Sequence, residues 1–375
     1  MSTIKDVAKL AGVGIATASR ALSGKGAVSD ATAERVRGAA AQLGYRASSI
    51  ARALSLRRSG AIGVYVPAFD GFFYSSILTS IDDVLRSAGR HMVAVNGLGE
   101  GDTRRQARDG IDFLIEHDCD GLIVASNSLS AAEIARLLER FPNTVIVNRQ
   151  LPRRDARCFS AEHVQGGRLA ARALLAQGHR EIAVIRGPRE AQDNEARLRG
   201  FFGELSRQGV SVAPQHVAAG AFTHAGADLA TRALLQTRRR GRFGFSAIFA
   251  ASDVMAMAAV ARLTQSGLSV PGDVSVIGYD DAEFALYGSP PLTTVRVPIA
   301  DVAANACRHL LNQCYGLALP VERRFVCSLI WRLSVAPGPH PPLPLHAPPD
   351  APPDAPPSER GAARRPHPEP MRTFA

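Results

Sequence analysis

Residues 2–58 constrain this chain more than any other stretch, because they read as three short helices and then a fourth, isolated one. Thr3 and Asp6 have the spacing of a capping box, which predicts a helix starting at Thr3. Ile4, Val7, Ala8 and Ala11 fall on one face at helical spacing, and Gly12 ends the helix with a tight turn. A second helix begins near Gly14 and carries Ile15-Ala16-Thr17-Ala18-Ser19-Arg20-Ala21-Leu22. Two short helices joined by a glycine-centred turn form a helix-turn-helix pattern. In that motif the second helix lies in the DNA major groove with its first residues toward the bases. A third helix is expected from about Asp30 to Leu43, capped by Ser29. Val36, Ala39, Ala40 and Leu43 would close a miniature core over Ile4, Val7, Ala8 and Leu22. So small a core is only marginally stable alone.

Charge points the same way. Residues 1–60 hold ten lysines and arginines against three acidic side chains, seven of the ten net positive charges of the 375-residue chain. Positive charge concentrated on a small module is the electrostatic footprint of a nucleic-acid binder, although basic runs also serve as solvated surface. Ile15, Ala16 and Arg20 project from the first turns of the second helix and are the candidates for reading bases. Arginine bonds guanine O6 and N7 together, and apolar groups touch the thymine methyl. Ile15 could alternatively be a core residue. Thr17 and Ser19 suit phosphate contacts or local caps, and Lys9, Arg35 and Arg37 are expected on the outside.

From Ala61 onward apolar strands alternate with helices. Strand-like runs are Ile62–Val66, Met92–Val95, Leu122–Ala125, Val145–Val147, Ile182–Ile185, Ala247–Ala250 and Val274–Ile277. Helical stretches such as Ser75–Ala88, Arg105–Glu116, Gln165–Gln177 and Glu195–Arg207 lie between them. This alternation implies doubly wound parallel sheets, which bind ligands at the carboxyl ends of their strands. The segments following those ends are Pro67–Tyr74, rich in aromatics; Asn148-Arg149; a glycine-proline loop leading to Arg197; Ala251-Ser252-Asp253; and Gly278-Tyr279-Asp280-Asp281. Aromatic faces can stack on a sugar ring, while carboxylate, amide and guanidinium groups pair with hydroxyls.

TIKDVAKLAGVGIATASRAL, AVSDATAERV and LGYRASSIARAL together resemble the LacI/GalR family of bacterial transcriptional repressors, and the likeness runs from Thr3 to about Val335. The resemblance implies a helix-turn-helix head (1–47), a hinge helix with linker (48–60), and a two-lobed core (61–336) of the type I periplasmic-binding-protein fold. The N-lobe would be about 61–159 plus 291–322, and the C-lobe about 160–290 plus 323–336. Base reading falls to Ile15, Ala16 and Arg20, with Thr3, Thr17, Ser19, Ser29, Tyr45 and Arg52 as further DNA contacts. Leu54 would be the wedge that a paired hinge helix pushes into the minor groove, kinking the duplex; the residue-level alternative is an ordinary linker. Gly14 and Ala47 stand where the family usually has serine and often has proline. The resemblance further implies an effector between the lobes. ARLRGF places Arg197, IGYDD places Asp280, and ASD places Ser252 where many sugar-responsive members carry asparagine. Phe73, Asn127, Asn148 and Arg149 match weaker cleft positions, and Asp253 is expected to cap its helix. VNRQLP, Arg157-Cys158 and LTTVRVPI are most similar to the galactose-repressor branch, which favours a hexose over a purine.

The function implied is a homodimer on double-stranded operator DNA under small-molecule control, with no cofactor and no metal. Activation on the same scaffold is an alternative. An enzyme is disfavoured: the chain has no Walker loop, no GxGxxG and no HExxH, and Cys119, Cys158, Cys307, Cys314 and Cys327 lack metal-pair spacing. His91, His117 and His179 read as surface residues. No signal-peptide pattern and no apolar run of about 20 residues is seen, so a cytoplasmic protein without a membrane partner is expected. Residues 337–375 hold 14 of the 24 prolines and predict polyproline II or disorder. They carry no leucine heptad, which favours a dimer over a tetramer.

Overall fold

A computed structural model describes residues 2–23, 28–45, 59–97, 102–151, 155–237 and 244–343. The head consists of α1 (Ile4–Ala11), α2 (Ile15–Ser23) and α3 (Asp30–Gln42). Thr3 is the N-cap of α1, so the helix proper starts one residue later than the capping box suggested, with Asp6 accepting from the Thr3 backbone N–H and hydroxyl at 2.8 Å each. Those two bonds hold the Asp6 carboxyl below its ordinary pKa. Gly12 ends α1 at φ 66°, the left-handed conformation that only glycine adopts without strain. Val7, Ala8, Ala18, Ala21, Val36, Ala39 and Ala40 form the head's small core, with Ile4, Leu22, Leu43 and Tyr45 packed against it.

The body is built on two sheets. The N-lobe sheet comprises β1 (Ala61–Val66), β2 (His91–Asn96), β3 (Gly121–Val124), β4 (Thr144–Val147) and β5 (Cys158–Phe159), in the order β2-β1-β3-β4-β5 and parallel throughout. Its helices are α4 (Phe72–Ser87), α5 (Thr103–Glu116) and α6 (Ala131–Arg140). Side chains alternate across β1: Ile62, Val64 and Val66 join the core under α4, whereas Tyr65 joins the one under α5 and α6. With both faces covered, the strand reads as one apolar run.

The C-lobe sheet comprises β6 (Ile182–Arg186), β7 (Val217–Ala219), β8 (Ala247–Ala250), β9 (Ser275–Asp280), β10 (Thr293–Arg296) and β11 (Ser328–Ile330), ordered β11-β10-β9-β8-β6-β7, with only β11 antiparallel. Its helices are α7 (His163–Ala176), α8 (Gln192–Arg207), α9 (His224–Gln236), α10 (Asp253–Gln265) and the short α11 (Glu283–Leu286). α12 (Ile299–Tyr315) returns to pack on α4, β3, β4 and β5. The chain therefore crosses between lobes after β5, after β10 and after α12.

Three sequence expectations change. β10 hydrogen-bonds β9, so the return to the N-lobe falls after Arg296 rather than near 291, because Thr293–Arg296 completes the C-lobe ladder. Residues 337–343 are not a free start to the tail. The Gly338 N–H donates to Gln177 O at 2.5 Å, His340 N–H to Gly178 O at 3.2 Å and Leu343 N–H to Leu175 O at 3.3 Å, clasping the end of α7. The His340 imidazole also meets Glu181 at 2.8 Å. His179 is buried beneath this strap, bonded to Ser246 Oγ (2.9 Å) and Ala336 O (3.0 Å), rather than lying on the surface. The expected hinge helix, with Arg52 and Leu54, and the tail from 344 onward lie outside the described residues.

Candidate functional site

The head presents its second helix outward. Ile15 is 48% exposed, so it does not serve as core within the head, and Ala16, Ser19 and Arg20 are exposed beside it. Thr17 is half-buried, and the Arg20 Nε–H folds back on Ala16 O at 3.2 Å. Lys9, Arg35 and Arg37 are exposed, and Arg37 pairs with Glu34 at 2.8 Å. Ser29 is the N-cap of α3, but its hydroxyl donates to the Thr32 hydroxyl (3.0 Å) rather than capping the backbone. Tyr45 packs on the head core.

A cavity of about 390 Å³ lies between the lobes at the carboxyl ends of their parallel strands. This is where open α/β sheets bind ligands, and the volume suits a small one. The N-lobe contributes Asp70 from the β1–α4 turn, Phe72, Phe73 and Tyr74 from the first turn of α4, and Asn127 after β3. The C-lobe contributes Asp193 and Arg197 from α8, Phe222, Thr223 and His224 after β7, Ser252 and Val254 after β8, and Asp280 at the end of β9. The Phe73 and Tyr74 rings meet edge to face at 5.4 Å, and burial pushes the Tyr74 phenol above its ordinary pKa.

Arg197 organises the C-lobe wall. It is 1% exposed. Its Nη2 donates to Asp193 Oδ2 at 2.6 Å, its Nε to Asp193 O at 3.3 Å, and its Nη1 to the Ala251 carbonyl. The guanidinium lies 4.2 Å over the Tyr279 ring and 3.8 Å from Asp280 Oδ1. Burial works against its charge, but the facing Asp193 and Asp280 carboxyls outweigh that and hold the pKa up. Asp280 sits at φ 119° and Asp281 at φ 60°, conformations that L-residues rarely adopt. Asp281 locks the turn by accepting from Arg332 (2.6 Å) and Arg296 (2.7 Å). Burial pushes the Asp280 carboxyl well above the usual carboxylate range, against the pull of Arg197.

Ser252, not Asp253, caps α10: its Oγ accepts from Met255 N–H at 3.3 Å while the residue lines the cavity. Asp253 is fully buried and accepts from Ala282 N–H (2.8 Å) and the Thr294 hydroxyl (2.6 Å), and burial raises its pKa to about 7. It holds the β9 turn in place rather than its own helix. Asn148 and Arg149 also differ from expectation, because neither lines the cavity. Asn148 Oδ1 meets His163 Nε2 at 2.8 Å, and His163 Nδ1 meets the Tyr279 hydroxyl at 3.1 Å, linking the lobes behind the Arg197 wall. Burial lowers the His163 pKa to about 3. Arg149 Nη1 donates to Ser126 O at 3.0 Å. Sequence reasoning missed Asp193, Phe222 and His224. Asp193 was findable as the acid one helical turn before Arg197; Phe222 in the loop after β7 and His224 at the start of α9 turn toward the cavity with no local signature. Among the described residues, no three His, Cys, Asp or Glu side chains are placed to hold a metal, and no helix is long and apolar enough to cross a membrane.

A helix-turn-helix head with an exposed second helix, joined to a two-lobed body with a cavity at its strand ends, is the architecture of a DNA-binding regulator. Residues 3–48 match the family of bacterial regulatory proteins, lacI family, and residues 171–335 match the periplasmic binding protein-like domain. The HTH-type transcriptional regulator GalS of Salmonella typhimurium is 34% identical over 90% of this chain and 97% of its own length; GalR of Escherichia coli is 34% identical over 90% and 96%. A LacI-family regulator from Burkholderia phymatum superposes with a TM-score of 0.70 at 42% identity, covering 74% of this chain and 99% of that one. The lac repressor dimer bound to operator and an anti-inducer gives 0.79 at 27%, covering 89% and 99%. The chain belongs to the LacI/GalR family, on its galactose-repressor branch, and is a DNA-binding transcriptional regulator rather than an enzyme.

Proposed function

We propose that this protein is a dimeric repressor acting in the cytoplasm, that its heads read a near-palindromic operator, and that a sugar in the interlobe cavity controls the grip. The reading rests chiefly on the Arg197–Asp193–Asp280 group facing an aromatic N-lobe wall across the cavity, in a chain that also exposes Ile15, Ala16 and Arg20 on its second helix. The charged groups orient hydroxyls, while Phe73 and Phe222 offer faces for the apolar side of a ring. Ser252 and Asn127 add short polar contacts. Both lobes line the cavity, so a ligand that contacts both biases their relative angle. Residues 48–56 would order on the operator and couple that angle to the heads, with Leu54 as the wedge.

Purified protein is screened by thermal shift against neutral hexoses, disaccharides and nucleobases. A hexose that raises the melting temperature in the wild type and not in Arg197→Ala, with operator binding retained in that variant, is the expected result. A normal sugar response in Arg197→Ala refutes the cavity assignment. Leu54→Ala weakens operator binding without changing sugar affinity; equal operator affinity in a mobility-shift assay counts against the hinge role.

A further inference from the structure

The cavity wall has an imbalance. Its acidic side chains are three carboxyls, Asp70, Asp193 and Asp280, against the single guanidinium of Arg197. Arg197 is already engaged: each of its nitrogens donates within the protein, two of them to Asp193. Two buried carboxyl oxygens remain without a hydrogen-bond partner, Asp193 Oδ1 and Asp280 Oδ1, the latter facing Arg197 at 3.8 Å. Asp193 lines the cavity although it is only 5% exposed. Leaving a buried carboxylate oxygen unpaired is costly, and the group that relieves the cost must donate. Hydroxyls donate; phosphates and carboxylates at neutral pH accept only. Arg149 stands outside the lining and is turned to Ser126 O.

We propose that Asp193 is a specificity-determining residue that reserves the cavity for an uncharged polyhydroxy sugar and excludes sugar phosphates and sugar acids. Asp193 does this by cancelling the Arg197 charge that would attract an anion and by occupying the guanidinium donors that would bind one. The inference rests on the sugar reading given above and deepens it.

Isothermal titration of the full-length protein with D-galactose, D-glucose, galactose 6-phosphate and galacturonate tests it. One neutral hexose is expected to bind at least about 100-fold more tightly than either anion. Asp193→Asn keeps the shape, swaps one acceptor for a donor and leaves Arg197 with only the more distant Asp280 carboxyl. It is expected to lose about 10- to 100-fold for the neutral sugar and to shrink the neutral-over-anion ratio at least tenfold. Asp193→Ser provides a smaller uncharged substitute should the amide fold poorly, with the same direction expected. Anions binding the wild type as tightly as neutral hexoses, with Arg197→Ala abolishing both, overturn the specificity claim and leave the sugar cavity standing. An unchanged ratio in Asp193→Asn overturns it too. No response to any of the four, or responses indifferent to Arg197→Ala, overturn the sugar reading and the inference together.

Discussion

Gly167→Ala tests how the packing behind the site positions Arg197. α7 and α8 are in close contact, and a Cβ on Gly167 would stand 2.8 Å from the Arg197 carbonyl carbon and 2.9 Å from Phe201 N, with the Arg197 carbonyl oxygen nearer still. These are backbone atoms, so no rotamer change relieves the overlap. The helices must separate by about 1 Å, and overpacking of this kind costs about 1–3 kcal/mol. Alanine's better helix propensity returns up to about 1 kcal/mol. A net loss of about 1–2 kcal/mol lowers the melting temperature by roughly 2–8 °C in a core of this size. Function responds separately. Asp193 and Arg197 move together on α8, whereas Ala251 and Asp280 belong to strand ends and stay. The Arg197 bond to Ala251 O and its 3.8 Å approach to Asp280 are therefore the contacts that fail. Sugar affinity should fall at least about tenfold while operator affinity holds. Gly203→Ala is the internal control: it lies on α8 with Arg197 and has nothing within 4 Å of its would-be Cβ, so it should stabilise by about 0.5–1 kcal/mol and leave the sugar alone. Calorimetry and sugar titration decide. A Gly167→Ala protein that melts and binds like the wild type refutes the reasoning.

Further outcomes follow from other contacts. His163 has a folded pKa near 3 against 6.5 unfolded, so its unfolded form gains protons first as pH falls. The stability it confers is whole above about pH 6.5 and declines toward pH 3, by about 2 kcal/mol at pH 5; denaturant melts of His163→Gln should show a flatter acid limb, and an identical limb excludes His163 as its source. Truncation after Leu343 should leave the melting temperature unchanged, whereas truncation after Ala336 strips the strap from Gln177, Gly178 and Leu175 and should lower it by several degrees. Equal melting of the two would show the strap to be idle. Asp6→Ala removes the α1 capping box at a cost of about 0.5–2 kcal/mol, a large share of what so small a core supplies; operator affinity should fall while sugar-induced stabilisation of the body is unchanged, and full operator affinity would contradict it.

The head was legible because its signals are local. The Thr3–Asp6 spacing, Gly12 and the Val36–Ala39–Ala40 face each report on neighbours within a few residues, and each appears where expected. The alternating strands of the body were legible for a similar reason, since a parallel strand covered on both faces is an unbroken apolar run. The site was legible only in part. Asp280, Ser252 and Asn127 line the cavity because strand ends point there in any open α/β sheet, and Phe73 and Arg197 reach it from the helices that follow. Asn148 follows a strand end too, but its positive φ of 60° turns it to His163 instead. Asp253 reads like a cap because it opens a helix, yet Thr294 of β10 and the Ala282 N–H in the turn after β9 claim it from positions distant in sequence. The strap at 337–343 was hidden by composition, since its glycine and prolines suggest disorder. Its docking depends on close approach at Gly178, where φ is 83° and a Cβ would collide with the His340 carbonyl.

The most direct test of the account titrates the protein into a fluorescent dyad-symmetric duplex, selected from a random library with this protein, and follows anisotropy with and without the stabilising hexose. The account predicts two chains per duplex, a preference of about 10³ or more over random competitor at physiological salt, loss of that preference in Arg20→Ala, and a shift in affinity when the sugar is added. Absence of any preference for a selected duplex, across salt concentrations and with or without sugar, would contradict it.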